Sequence, residues 1–270
     1  MMFHHFKLSI ILLAVTIIAC TEYHPYDTHF NGQRNINSEN IKLIEKKCQS
    51  DKNIKFVAIS DSQRWYDELE KAVEKINKLE DVDFVIHLGD IADFGMSNEF
   101  ELQRNILNHL SVPYVCIIGN HDCLATGELI FREMFGEYNF AFQAGDVRFL
   151  CLNTNALEFD LTEDVPDLSF INEQVLVAQS EKSNTNKCVV AMHAQPYSEQ
   201  FNNNLAEVFQ HSIRQLPNLQ FCVHGHGHNY LQEDIFSDGV TYYQCDNIGK
   251  QSFLVFEING KGYECKRVFY

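Results

Sequence analysis

Positive charge is scarce in this chain: 21 Lys and Arg stand against 37 Asp and Glu, a formal net charge of −16. A protein that grips nucleic acid must neutralise phosphates with Lys and Arg. Only short pairs such as Lys46-Lys47 occur here, so no nucleic-acid surface is expected. No Cys-x-x-Cys pair occurs, which leaves a cysteine zinc site without support. The contexts of a serine nucleophile elbow and of a P-loop are also absent, which removes acyl transfer and the NTP cradle. After residue 53 there is no repeat and no low-complexity linker, and no coiled-coil signal announces assembly, so a monomer is expected. An anionic substrate would have to be drawn in by something other than side-chain cations, and bound metal ions would serve.

What is present begins with 270 residues, 45% hydrophobic and 21% charged, the balance of one large globular domain. At the N-terminus Lys7 precedes an apolar run, Leu8 to Ala19, that is too short to span a bilayer, which takes about 20 apolar residues. A short apolar segment behind a basic residue has the shape of a secretory signal. Its end, Ile17-Ile18-Ala19-Cys20, resembles the lipobox of bacterial lipoproteins, which makes residues 1–19 a signal peptide and Cys20 the lipid anchor. The expected location is then outside the cytoplasm, periplasmic or at the cell surface, with membrane attachment through the N-terminal lipid. A plain signal peptide cleaved nearby is the alternative, since Ile17 and Ile18 depart from the commoner leucine-first pattern. Nine cysteines in an exported chain invite a disulfide reading. Cys116, Cys151, Cys188, Cys222 and Cys245 sit in apolar, strand-like runs, however, which points to mostly free, buried thiols.

Residues 20–50 read as a tether and a short helix, with Ser38 as its N-cap and Ile41 and Ile44 at helical spacing, and residues 51–270 as the folded domain. Within that domain β-branched apolar runs alternate with amphipathic stretches, the pattern of an α/β fold. Strands are expected at Ile54–Ser60, Phe84–Leu88, Tyr114–Ile118, Asn139–Gln143, Val147–Asn153, Cys188–Met192 and Gln220–Val223. Helices are expected around Trp65 to Leu79, behind Ser97, at Leu168–Gln179 and at Leu205–Leu216, with further strands in the last forty residues.

Polar groups stand at the C-terminal ends of five of these strands, where open α/β sheets place their ligand sites. They are Ser60-Asp61-Ser62-Gln63, Gly89-Asp90-Ile91-Ala92-Asp93, Gly119-Asn120-His121-Asp122, His193, and Gly225-His226-Gly227-His228. Taken singly, each has a bland reading: an Asp after a strand caps a helix, Gly-Asn makes a turn, a lone His satisfies a core. Taken together they put oxygen and imidazole donors at one edge, as a metal site requires. Alternate residues of an extended segment point the same way, so His226 and His228 would lie side by side.

The order Asp-x-Gln, Gly-Asp-x-x-Asp, Gly-Asn-His-Asp, a single His and Gly-His-x-His resembles the calcineurin-like metallophosphoesterase family over about residues 54–270. The resemblance implies a four-layer αββα sandwich, two mixed β-sheets flanked by helices. It also implies two divalent metal ions and hydrolysis of phosphate esters, mono- or diesters, with a metal-bridging hydroxide as nucleophile. Carried over residue by residue, Asp61, Gln63 and His228 hold the first metal and Asn120, His193 and His226 the second, with Asp90 bridging. His121 sits over the substrate, Asp122 fixes its tautomer, and Asp93 orients from behind. Gln63 departs from the family's usual His. Its neutral amide oxygen favours a harder ion, so Mn or Fe is expected over Zn. The competing reading is a binding or scaffold protein that kept the fold and lost the chemistry, and Gln63 alone leans that way. Other polar residues carry smaller expectations. His87 and His224 suit structural roles, Tyr197, Asn229 and Tyr230 the cleft rim, and the acidic stretch Ala156–Phe170 a loop beside it.

Overall fold

The computed structural model describes residue 24 and residues 26–159, 163–180 and 184–270; the expected signal stretch and Cys20 lie outside these. Three parallel strands, β1 (Ile54–Ile59), β2 (Phe84–His87) and β3 (Tyr114–Cys116), form the heart of one sheet. Later in the chain β4 (Phe140–Ala144), β5 (Val147–Leu152), β6 (Lys187–Met192), β7 (Leu219–His224), β8 (Leu231–Glu233) and β9 (Thr241–Gln244) form a second. The last two strands, β10 (Ser252–Asn259) and β11 (Gly262–Phe269), return antiparallel to the first sheet, giving the orders β11-β10-β1-β2-β3 and β4-β5-β6-β7-β9-β8. Both sheets are mixed, because β5, β6, β7 and β9 run parallel while β4 and β8 pair antiparallel.

The side-chain period of two explains how the layers form. Along β1, Phe56 and Ala58 face the second sheet while Val57 and Ile59 face the helices. The inter-sheet layer is packed with aromatic rings: Phe56 meets Phe149 edge-on at 5.2 Å between centroids, and Phe84 meets Phe142 edge-on at 5.5 Å. Outside the first sheet lie α2 (Tyr66–Ile76), α3 (Ser97–Leu107) and α4 (Gly127–Met134), presenting residues such as Leu69, Val73, Phe100 and Phe131. Outside the second lie α5 (Leu168–Gln179) and α6 (Ala206–Ile213), presenting Ile171, Phe209 and Ile213. The chain therefore makes the expected four layers, helix, sheet, sheet, helix.

The first helix, α1 (Ile36–Cys48), is the short helix expected ahead of residue 51. It drives Ile44 and Cys48 into the inter-sheet layer. Its Asn37 side chain also bonds both ways with the main chain of Cys116 at 2.8 Å, satisfying the open edge of β3. Phe30 is buried, and Arg104 donates to the Asn31 carbonyl at 2.6 Å, so docking begins before the helix. Helix caps differ too. Ser38 lies inside the first turn of α1, and Ser97 is the first residue of α3, whose start is held by the Glu99 carboxylate accepting from Phe94 and Met96 N–H. One helix went unforeseen, α4: its buried Ile130, Phe131 and Met134 repeat at helical spacing, but over only eight residues. Strand β8 falls within the last forty residues, where further strands were expected, and is exposed throughout. The eight cysteines among the described residues are unpaired and six are buried.

Candidate metal centre

The C-terminal ends of β1, β2 and β3 in one sheet and of β6 and β7 in the other meet at one edge of the sandwich. Contact between the two sheets there depends on a missing side chain. A Cβ at Gly225 would stand 1.9 Å from Ser60 Oγ and 2.9 Å from Asp61 Oδ2, so only glycine lets the exit of β7 touch the exit of β1. Four donor residues, Asp61, Asp90, His226 and His228, hold positive φ angles of 53°, 58°, 66° and 60°. Left-handed backbone costs a non-glycine residue about 1–3 kcal/mol and collects at functional sites. The His226–His228 segment is consequently not extended, and the side-by-side placement expected from strand alternation does not hold. The two rings serve opposite halves of the centre.

One half gathers Asp61, Gln63 and His228. His228 Nε2 lies 3.2 Å from Asp61 Oδ1, and one ligand atom each from Asp61, Asp90 and His228 all fall within 4.8 Å of one another. Gln63 Oε1 is a buried oxygen without a hydrogen-bond partner, and Asp61 Oδ1, equally buried, faces only the His228 ring; the unpartnered amide oxygen is costly unless a cation takes its lone pairs. Gln63 Nε2 donates to Asp90 Oδ2 at 3.3 Å.

The other half gathers Asn120, His193 and His226. His193 Nδ1 donates to the Leu88 carbonyl at 2.8 Å, and His226 Nε2 donates to Glu199 at 3.0 Å. Each ring's remaining nitrogen points at the same atom, Asn120 Oδ1, at 3.0 Å from His193 Nε2 and 3.1 Å from His226 Nδ1. A proton on a facing nitrogen lets it donate to Asn120 Oδ1; in the neutral rings that ligation requires, both nitrogens turn lone pairs toward the same point, which suits a cation. Outer partners that fix ring tautomers in this way are what metal-ligating histidines have.

Asp90 stands between the halves. Its Oδ1 accepts the His121 N–H at 2.9 Å and lies 3.3 Å from His193 Nε2, while Oδ2 faces Gln63. Burial alone would raise the Asp90 carboxyl, but the facing His193 and the His121 contacts outweigh it and hold the group ionised, below its ordinary range. Burial would likewise lower His193, yet Asp90 beside it raises the ring above its ordinary value. Every donor named from the sequence is therefore brought to this edge.

The roles around the donors need correction. Asp122 does not touch the His121 ring. Its carboxylate accepts from Ile91, Ala92 and Gly119 N–H at 2.8, 2.7 and 2.9 Å, and so ties the β2 exit to the β3 exit. The tautomer of His121 is set by the main-chain carbonyl of Asp93, which accepts from Nδ1 at 2.8 Å and leaves Nε2 free. The Asp93 carboxylate lies 3.7 Å from the same nitrogen and is paired with Arg64. Glu199 and Arg64 escaped the sequence reading. Neither falls in a motif, and only the fold brings them to the donors. His87 is structural as expected: its Nδ1 accepts from Gly89 N–H, its Nε2 bonds Ser62 Oγ at 2.7 Å, and burial lowers it to about 4. His224 is buried with its Nδ1 on the Gly225 carbonyl. At the rim Tyr197 donates to Glu207, Asn229 accepts from Lys250, and Tyr230 lies under the Arg267 guanidinium. Of the acidic stretch, Ala156, Phe159 and residues 163–169 line a separate groove with Asn139, Asn202 and Leu205 that includes none of the donors.

Comparison with known proteins identifies the family and the fold. A family model described as calcineurin-like phosphoesterase matches residues 54–230. Among curated proteins none matches the sequence significantly. Solved structures with the same fold include GAP50, described as the anchor in the inner membrane complex of Plasmodium. It is 12% identical with a TM-score of 0.61, and the alignment covers 81% of this chain and 85% of that one. A dimetal phosphatase from Danio rerio is 15% identical with a TM-score of 0.58, covering 80% and 99%. A purple acid phosphatase from yellow lupin is 13% identical with a TM-score of 0.57, covering 82% of this chain and 53% of that longer one. With more than half its length matched by the family model and its donors arrayed at one sheet edge, the chain belongs to the calcineurin-like phosphoesterase family.

Proposed function

We propose that this chain is a two-metal-dependent hydrolase of phosphate esters. The observation that carries the proposal is the pair of imidazole nitrogens, His193 Nε2 and His226 Nδ1, both aimed at Asn120 Oδ1 while their other nitrogens are committed as donors. Members of the family typically bind two divalent metals. Here Asp61, Gln63 and His228 would hold one, Asn120, His193 and His226 the other, and Asp90 both. Bound ions of this kind supply Lewis-acid polarisation of phosphoryl oxygens and activation of water near neutral pH. The oxygen-rich first set, with a neutral amide from Gln63, supports Mn or Fe over Zn.

The chain's own residues supply the rest. His121 is one-third exposed and keeps Nε2 free, because Nδ1 is fixed on the Asp93 carbonyl. In its imidazolium form, with a proton also on Nε2, the ring is placed to donate to a phosphoryl or leaving-group oxygen and to pass that proton on, which leaves the neutral imidazole. Asp122 fixes the loops that carry Asp90, Asn120 and His121, so their geometry is set before substrate arrives.

The proposal is tested by following p-nitrophenyl phosphate and bis-p-nitrophenyl phosphate with added Mn²⁺, alongside Asp90→Asn. Metal-dependent turnover lost in the variant supports the hydrolase and reports the preferred ester class. No turnover of either ester by protein that holds two metals would favour the scaffold reading. Export and anchoring through Cys20 form a separate proposal, supported by the Leu8–Cys20 pattern. Its test is incorporation of labelled fatty acid in a bacterial host, expected in the parent chain and lost in Cys20→Ala.

A further inference from the structure

Exposed aromatic rings in this protein collect around the centre. Among the described residues the exposed aromatic side chains are Tyr26, Trp65, Phe94, Tyr197 and Phe269. Three of them, Trp65, Phe94 and Tyr197, stand on the loops that follow Gln63, Asp93 and His193. Tyr197 is spoken for, its hydroxyl bonded to Glu207 and its ring tilted against Phe236 at 5.4 Å. Trp65 and Phe94 are placed differently. Each follows directly on a member of the Arg64–Asp93 ion pair, so that pair ties their two loops together beside His121.

The placement of Trp65 is built in. Its indole lies on the backbone of Gly249, where a Cβ would stand 2.7 Å from the ring. The turn that carries Gly249 is in turn bonded to the β1 exit, Ile248 N–H donating to Ser60 O at 3.1 Å. One face of the indole is thus covered by main chain anchored to the ligand loop, and the side chain remains 38% exposed. Phe94 is 57% exposed while its own N–H is fixed by Glu99 at 2.9 Å. Arg64 holds a strained φ of 61° and stays more than half exposed while paired with Asp93, so guanidinium donors remain for an anion. Two exposed rings on loops tied together beside His121 offer flat apolar faces next to the polar donors, and a flat ring suits a flat partner.

Resting on the hydrolase reading, we propose that Trp65 and Phe94 form the leaving-group face of the site, and that its preferred ester carries a planar aromatic group of nucleobase type. Stacking on such rings adds about tenfold or more in affinity per base.

Trp65 is the chain's one tryptophan, so its fluorescence reports the face without any need for turnover. The full chain loaded with Mn²⁺ is titrated with adenosine 5′-(α,β-methylene)diphosphate and, separately, with methylenediphosphonate, which shares the hydrolysis-resistant phosphonate but has no base. Saturable quenching by the adenosine compound, with affinity about tenfold above that of the bare diphosphonate by calorimetry, supports the inference. In Phe94→Ala the two affinities then approach each other while the tryptophan still reports. Equal affinities with no quenching overturn the aromatic face and leave the metal-centre reading standing. Binding of neither compound by protein that holds its metals overturns both.

Discussion

The two halves of the centre are built to different standards. Asn120, His193 and His226 are held from behind, His193 by the Leu88 carbonyl inside the core and His226 by Glu199. Asp61, Gln63 and His228 are looser: His228 has a side chain 46% exposed whose ring, among the described residues, meets only Asp61 itself, and Gln63 offers a neutral amide. A ring whose second nitrogen is already bonded needs no reorganisation to ligate, whereas an exposed ring does. The second half is therefore expected to bind its ion more tightly, and the first to be the half from which metal is lost.

Changes at Asp90, the residue shared by both halves, have the largest expected effect. Asp90→Asn removes the carboxylate that faces His193 and Gln63, and metal-dependent hydrolysis should fall by about a thousandfold or more. A fall of less than about tenfold would mean that the halves work independently.

Acid should expose the weaker support of the first half. Ser62, between Asp61 and Gln63, rests on His87, which is buried, accepts from Gly89 N–H and is lowered to about 4. The unfolded ring titrates near 6.5, so between these values the unfolded chain binds the extra proton. The stability from a neutral His87 is present above about pH 6.5 and is lost as pH falls through about 4, a swing on the order of 3 kcal/mol. Urea unfolding of metal-free protein across this range should show it, and His87→Gln should flatten the slope.

Two further substitutions should move the halves toward each other. Glu199→Gln weakens the hold on His226 and should cost about 10–100-fold in affinity at the second half, seen by calorimetry as a loss in the tighter class. Gln63→His gives the first half an imidazole and should tighten Zn²⁺ there by about tenfold. If Gln63→His tightened the stronger class instead, the assignment of the halves would be reversed.

Much of the centre was legible because its chemistry is carried by residue types at strand ends. Asp61, Asp90, Asn120, His193 and the two histidines of Gly225–His228 all reach one edge. Their supports were not legible, since Leu88 and Asp93 act through main-chain carbonyls that any residue has, and Glu199 lies outside any motif. Asp122 was misread because adjacency to His121 suggested a side-chain pair, whereas its carboxylate turns back to three N–H groups that only the folded loops assemble. The strands of the fold were readable from apolar runs. Their division between two sheets was not, because β1 buries both faces and shows no alternation; the resemblance implied two sheets, and only the structure assigns the strands to them. Helix α1 was legible as a helix but not as a plug between sheets, because only Ile36, Ile44 and Cys48 among its apolar residues are buried, a sparse stripe.

Calorimetric titration of metal-free protein with Mn²⁺ bears most directly on the two-half centre. Two classes of site, one ion each and of unequal affinity, with the tighter weakened in Glu199→Gln and both lost in Asp90→Asn, is the predicted result. A single ion per chain, or binding indifferent to Asp90, would contradict it.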